Sequence, residues 1–260
     1  MTAGLRQTWA LAWRSITGVA RLPQAWFPAL FFPLVLMAIF TGSFASAPGG
    51  IPGFPPVRSF LDFAIAGAIL QGVLIGGTTA GAAFAQDIEG GFFDRLVASP
   101  TSRASILAGR LGGSVALAIV QALLFIGIAL IFGASIENGL PGLLAVLAIG
   151  ALLAVAAGGL GIFLALRSGS AEAVQGTFPL FLILLFFSSA FFPRETMDGW
   201  FRAVADANPI SYVVEGMREQ IVGGAQAGST LTAVAITAGL AALALGGCAL
   251  AFRRRVAGAA

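Results

Sequence analysis

Residues 111–136 read LGGSVALAIVQALLFIGIALIFGASI, an interval without a charged side chain between Arg110 and Glu137. A helix of about 20 predominantly apolar residues crosses the roughly 30 Å hydrocarbon core of a bilayer, so this stretch is long enough to span. Comparable intervals lie between Arg21 and Arg58, Asp62 and Asp87, Glu137 and Arg167, Glu172 and Arg194, and Glu219 and Arg253. They predict an all-α integral membrane protein with six transmembrane helices, near residues 25–46, 61–85, 105–133, 141–166, 173–192 and 229–252. The chain reads as a single transmembrane domain over 1–260.

Composition agrees. Of 260 residues, 58% are hydrophobic and 10% charged, with a mean hydropathy of +0.96, whereas a soluble domain carries roughly 25% charged residues. There is no Lys, so the chain has no G-x-x-x-x-G-K-[ST] loop and no P-loop ATPase site of its own. There is no His, which excludes Ser-His-Asp and Cys-His nucleophile pairs and the usual histidine zinc sites. Cys248 is the single cysteine and reads as a small buried side chain.

Arginine sets the expected orientation, because positive charge near span ends stays in the cytoplasm. With both termini inside, only Arg58, Arg194, Arg202 and Arg218 of the 14 arginines fall outside. The first apolar span follows an arginine-bearing helix, and no cleavable leader is expected. Gly72 and Gly76, Gly77 and Gly81, and the Gly158–Gly161 cluster read as close helix packing. The span interiors hold Gln71, Gln121 and Gln175 but no acid or base, Asp62 and Arg110 falling near span ends, which counts against ion coupling.

Three segments lie outside the spans. In 1–24, Leu5, Trp9, Ala12, Ile16 and Val19 share an arc beside Arg6, Arg14 and Arg21, the pattern of a helix lying in the membrane interface against anionic lipid; the plainer reading is a lead-in to the first span. In the loop from Gln86 to Pro100, Phe92, Phe93, Leu96 and Val97 form one face of a short helix, with Asp94, Arg95, Ala98 and Ser99 on the other. So short a helix must dock, either on its own spans or in a groove of a soluble partner. In 193–228, two amphipathic helices flank Asn208-Pro209, too charged to span. They are an outer re-entrant segment before the last span, acting as a cap or a gate.

The motifs Asp87-x-Glu89-x-Gly91, Asp94-x-Leu96-x-x-Ser99-Pro100-x-x-Arg103, Ile106-Leu107-x-Gly109-Arg110 and Asn208-Pro209-x-Ser211-Tyr212-x-Val214-Glu215-x-x-Arg218 resemble those of ABC-2 type exporter permeases, in particular the drug-resistance permeases related to the daunorubicin exporter. The resemblance covers nearly the whole chain in topology and these patches in residue pattern. It implies a homodimer in the bacterial plasma (inner) membrane, each copy bound to a separate ABC ATP-binding subunit that holds ATP and Mg. No cofactor is expected on this chain, and no nucleic-acid partner.

By the same resemblance, Asp87, Glu89, Gly91, Phe92, Phe93, Asp94, Arg95, Leu96, Ser99, Pro100 and Arg103 couple the chain to the ATPase. Asn208, Pro209, Ser211, Tyr212, Glu215 and Arg218 belong to the outer gate. Phe178, Phe181 and Phe186, in the aromatic-rich fifth span, are candidates to line the path. An all-apolar interior suits export of a lipophilic drug or lipid-linked compound. The alternative is a membrane scaffold without transport activity, which would leave the loop helix unexplained. A membrane-embedded enzyme lacks a visible set of catalytic groups, and an importer does not fit the outer segment.

Overall fold

The computed structural model describes residues 2–223 and 227–257; Met1 of the expected interfacial helix and residues 224–226 of the expected outer segment lie outside them. The helices are α1 (Thr2–Arg21), α2 (Pro23–Ser43), α3 (Ala47–Gly50), α4 (Phe60–Glu89), α5 (Phe92–Ala98), α6 (Arg103–Ile131), α7 (Gly139–Ser168), α8 (Ala171–Gln175), α9 (Phe178–Phe186), α10 (Gly199–Ala207), α11 (Pro209–Val222) and α12 (Ala227–Ala257). No strand occurs among the described residues. Five helical segments, the first comprising α2 and its extension to Gly50 and the others α4, α6, α7 and α12, are long and apolar enough to cross a membrane. The molecule is an all-α membrane protein.

Helix α4 is the axis of the bundle. Ser59 opens it with a capping box: its hydroxyl accepts from the Asp62 amide, and the Asp62 carboxylate accepts from the Ser59 amide at 3.0 Å. Two of the donors that a helix start leaves open are thereby satisfied. The other Asp62 oxygen accepts from the Ser135 amide at 3.3 Å, which ties this end of α4 to the loop after α6. At 30 residues, α4 is about 45 Å long. It is apolar on every face and is accordingly surrounded, with α2, α6, α7 and α11 packed against it.

The glycines of α4 serve the packing expected of them. A Cβ on Gly77 would stand 2.5 Å from the Ala157 Cβ, and one on Gly81 would stand 2.5 Å from the Gly161 Cα. The backbones of α4 and α7 therefore touch, as small residues four apart permit in lipid. Beside this contact, Gln121 donates from Nε2 to the Ile69 carbonyl at 3.1 Å, joining α6 to α4. At the periphery, α2 leaves Phe27, Phe31 and Ile39 exposed, and α12 leaves Leu231, Leu243 and Leu250 exposed. Such faces suit hydrocarbon.

The fifth expected span, 173–192, is not a continuous helix. It is broken into α8 and α9, and the chain turns through residues 187–192. Pro179, at the start of α9, has no amide to continue the α8 ladder, and Gly176-Thr177 takes the turn between them. The broken segment still follows α4 end to end. The Ala171 amide is held by Glu89 at 2.9 Å, and the Ala190 carbonyl would lie 2.6 Å from a Cβ on Gly67.

Helix α1 packs lengthwise along α6. Gly109, Gly112 and Gly113 form a flat bed for Leu11, Ala12 and Ser15, with a Gly109 Cβ position only 2.4 Å from the Leu11 Cβ. Its other apolar strip, Leu5, Trp9 and Trp13, stays exposed, with the two indoles stacked at 6.2 Å. One apolar strip of α1 thus docks on α6 and the other is left exposed.

Candidate functional site

The residues singled out from sequence gather at the two ends of α4. At one end, Gly91 takes a left-handed conformation (φ 68°) at the start of α5, where a side chain would be strained. The turn drives Phe93 into the bundle, only 2% exposed, between Phe84 at 5.6 Å and Phe252 at 5.3 Å. Leu96 and Val97 pack on the same cluster. Phe92 is half-buried beneath the Arg14 guanidinium, 3.9 Å from its ring centroid. The apolar face of α5 therefore docks on its own chain, and the face left to a partner is polar: Asp94, Arg95 and Ala98 are exposed.

The surrounding residues fasten this helix. Asp87 bridges α1 and α6, with one carboxylate oxygen 3.2 Å from Arg14 and the other 3.3 Å from Arg110. Glu89 caps α8 through the Ala171 amide. Ser99 donates to the Leu96 carbonyl at 2.7 Å and closes α5. The Pro100 carbonyl accepts from Gln7 at 3.2 Å, and Arg103 lies 5.7 Å from the Phe252 ring. Sequence reading missed the partners Gln7, Arg14, Phe84 and Phe252. Arg14 stood within a recognised amphipathic pattern, whereas nothing marked Phe252, at the far end of the chain, as a neighbour of Phe93.

At the other end, Asn208 accepts from the Ile210 amide at 3.0 Å and so caps α11. Its amide also donates to the Leu184 and Phe187 carbonyls, at 2.6 and 2.9 Å, which would otherwise be left open where α9 ends. Pro209 begins α11 at a position that needs no amide donor. Ser211 donates to the Ala205 carbonyl at 2.7 Å and accepts from the Ser189 amide at 3.2 Å. The Tyr212 hydroxyl donates to the Asp206 carbonyl at 2.8 Å. Arg194 forks onto both oxygens of Glu215, reaches Asp206 at 3.2 Å, and lies over the Tyr212 ring at 4.5 Å. Burial works against the Arg194 charge, yet the hydrogen bond and attraction from Glu215, with help from Tyr212, hold its pKa above the ordinary value.

Arg218 is the most confined of this group, at 6% exposed. Its guanidinium donates to the Phe63 carbonyl at 3.1 Å and to the Ser189 and Ala190 carbonyls at 2.8 and 3.2 Å. Burial pushes it down to about 10, against the pull of Glu215 and Glu195. All six residues expected at the outer gate thus form one brace that joins the end of the broken segment to α11, and Arg218 extends it to α4. Phe63, Ser189 and Arg194 were not foreseen as its partners.

The three phenylalanines proposed for a path do not share one surface. Phe181 is buried, facing an apolar groove of about 330 Å³ with Leu153, Leu160 and Leu243. Phe178 lines a separate cavity with Gln175 and Pro28. Phe186 is exposed and stacks on Phe191 at 4.9 Å.

Comparison with known proteins meets this geometry. The family model described as "ABC-2 type transporter" matches residues 6–222. The chain is 30% identical over 241 residues, 89% of its length and 80% of the relative's, to "Daunorubicin resistance ABC transporter permease protein DrrB1" of Streptomyces coeruleorubidus. It is 29% identical over 213 residues, 80% of its length and 72% of the relative's, to "Putative transport permease ycf38" of Porphyra purpurea. It is 26% identical over 164 residues, 63% of its length and 59% of the relative's, to "Probable doxorubicin resistance ABC transporter permease protein DrrC" of Mycobacterium tuberculosis. With the match extending from α1 through α11, and with both braced ends of the bundle inside it, the chain belongs to the ABC-2 type transporter family.

Proposed function

We propose that this permease is the membrane-spanning half of an ATP-driven exporter. A separate ABC subunit binds ATP and Mg, and two copies of the chain form the path. The α5 end faces the cytoplasm of a bacterium, with both termini on that side of the inner membrane. Lipophilic drugs or lipid-linked compounds leave toward the outer leaflet. The drug-resistance names of two relatives favour this substrate class.

The observation that carries the reading is the two-sided nature of α5. Its aromatic face is wedged into the spans by Phe93, and its charged face is presented outward by Asp94 and Arg95. A push on the polar face has no slack to absorb it, because Phe93 sits in the packed core between α4 and α12. Asp87 passes the same displacement to α1 and α6. This is the mechanical requirement for a motor on one polypeptide to move spans on another.

The test is co-expression with a candidate ABC ATP-binding subunit from the same genome, purification by a tag on the permease, and an assay of ATP hydrolysis. The expected result is co-purification that the double charge reversal Asp94→Arg, Arg95→Glu abolishes while the permease stays inserted. If no ATPase is retained by the unaltered chain under gentle extraction, the chain is a scaffold instead.

A further inference from the structure

Between α1, α2, α4 and α6, at the α5 end of the bundle, lies a cavity of about 350 Å³. Three guanidiniums face it, from Arg14, Arg21 and Arg110, against one carboxylate, Asp87, leaving the lining with a net charge of +2. Asp87 engages one nitrogen each of Arg14 and Arg110. Arg21, exposed at the last residue of α1, has no side-chain partner among the described residues. Between Arg21 and the Asp87 pairs the lining is largely apolar, with Leu22, Ala25, Ala80, Ala83 and Leu117 beside Thr17, Thr79 and Gln86.

A lining of arginines and apolar side chains, at the ends of spans, matches the boundary where lipid head groups give way to acyl chains. The lining is cationic although Asp87 is present, so it selects an anion, and guanidinium forks suit phosphate oxygens. The volume accommodates a head group but not the tails, which would run along the apolar wall.

We propose that this cavity binds the phosphate head group of an anionic phospholipid, gripped by Arg14, Arg21 and Arg110, with the acyl chains on the apolar part of the lining. Its oxygens take the guanidinium donors that Asp87 leaves unused, so that lipid and Asp87 together hold α1 against α6. The inference rests on the chain being a membrane permease and is independent of any ATPase partner.

The experiment is native mass spectrometry of the purified full-length permease in dodecylmaltoside, titrated with phosphatidylglycerol, phosphatidylcholine or glycerol 3-phosphate. Saturable retention of phosphatidylglycerol over phosphatidylcholine is expected. Arg21→Gln, at an exposed helix end where packing is not at stake, weakens it about fivefold, the usual effect of one basic residue near an anionic lipid surface. Ala83→Leu fills the wall and lowers occupancy without altering charge. Arg253→Gln, the same charge change at an exposed position that does not line the cavity, leaves affinity unchanged. Equal loss in Arg21→Gln and Arg253→Gln would overturn the proposal in favour of undifferentiated attraction. No loss in Arg21→Gln would overturn it outright. Glycerol 3-phosphate binding as tightly as the lipid would assign the cavity to a soluble anion instead.

Discussion

The guanidinium of Arg218 lies 3.6 Å from the centroid of the Phe63 ring while donating a hydrogen bond to the Phe63 carbonyl. One residue of α4 thus offers α11 both a π face and an acceptor, and the same guanidinium holds the turn at Ser189 and Ala190. A lysine cannot reproduce this, because its ammonium is a point charge without a planar fork.

Arg218→Ala strands the buried carbonyls of Ser189 and Ala190, while that of Phe63 keeps its place in the α4 ladder, so stability falls by on the order of 3 kcal/mol, given about 1–3 kcal/mol for each buried group left unpaired. Arg218→Lys should fall between the two. Thermal unfolding in detergent, followed by tryptophan fluorescence, gives the order; a lysine variant as stable as the parent would show that charge alone suffices.

Asp87 divides itself between two unequal partners. The Arg110 side chain is 14% exposed and the Arg14 side chain 47%, so solvent screens the second pair more. Double-mutant cycles with Asp87→Asn should find a coupling of about 0.5 kcal/mol to Arg14, typical of exposed pairs, and a larger one to Arg110. Equal couplings would mean that burial does not rank them.

Substitutions in α5 should separate packing from coupling. Phe93→Ala empties a core site and costs about 3–5 kcal/mol, so thermal stability and stimulated ATP hydrolysis fall together. The Asp94→Arg, Arg95→Glu pair should lower hydrolysis and leave the melting temperature within a few degrees. Leu96→Asp should be harsher than Phe92→Asp, because a carboxylate at 92 would meet the Arg14 guanidinium already above that position.

The α4–α7 contact tolerates no added atom. Gly81→Ala sets a methyl 2.5 Å from the Gly161 Cα and should cost about 1–3 kcal/mol through overpacking. Gly127→Ala meets nothing within 4 Å and should be neutral or stabilising by up to about 1 kcal/mol, since alanine is the better helix former. Steric-trap or thermal measurements on the two variants read the contrast directly.

Hydrophobic runs and charge spacing made the five long helices, the loop helix and the amphipathic pair before the last span legible in the sequence. So were the small-residue contacts at Gly77 and Gly81. The break in the fifth segment was present as Gly176 and Pro179, but the reading followed the absence of charge between Glu172 and Arg194. Partner identity was less legible. Phe93 and Phe252 are 159 positions apart in the sequence, and no periodicity relates them. The Asn208 to Arg218 motif was recognisable, but it did not disclose that backbone carbonyls of 184–190 are its targets, because any residue type can present a carbonyl. The sequence left the apolar face of the loop helix open between its own spans and a partner, and the packing of Phe93, Leu96 and Val97 on the cluster with Phe84 and Phe252 decides for the spans.

Helix α4 carries both braced ends and touches α7 off-centre. Along its axis the Gly77–Gly81 contact lies about 12 Å from Asp87 and about 24 Å from Phe63, at 1.5 Å per residue. With equally close contacts at Gly67 and Gly72, the helix is clamped along its length rather than hinged at one point. It acts as a strut: a displacement imposed near Asp87 carries Phe63 with it, because close packing leaves no free arm to swing.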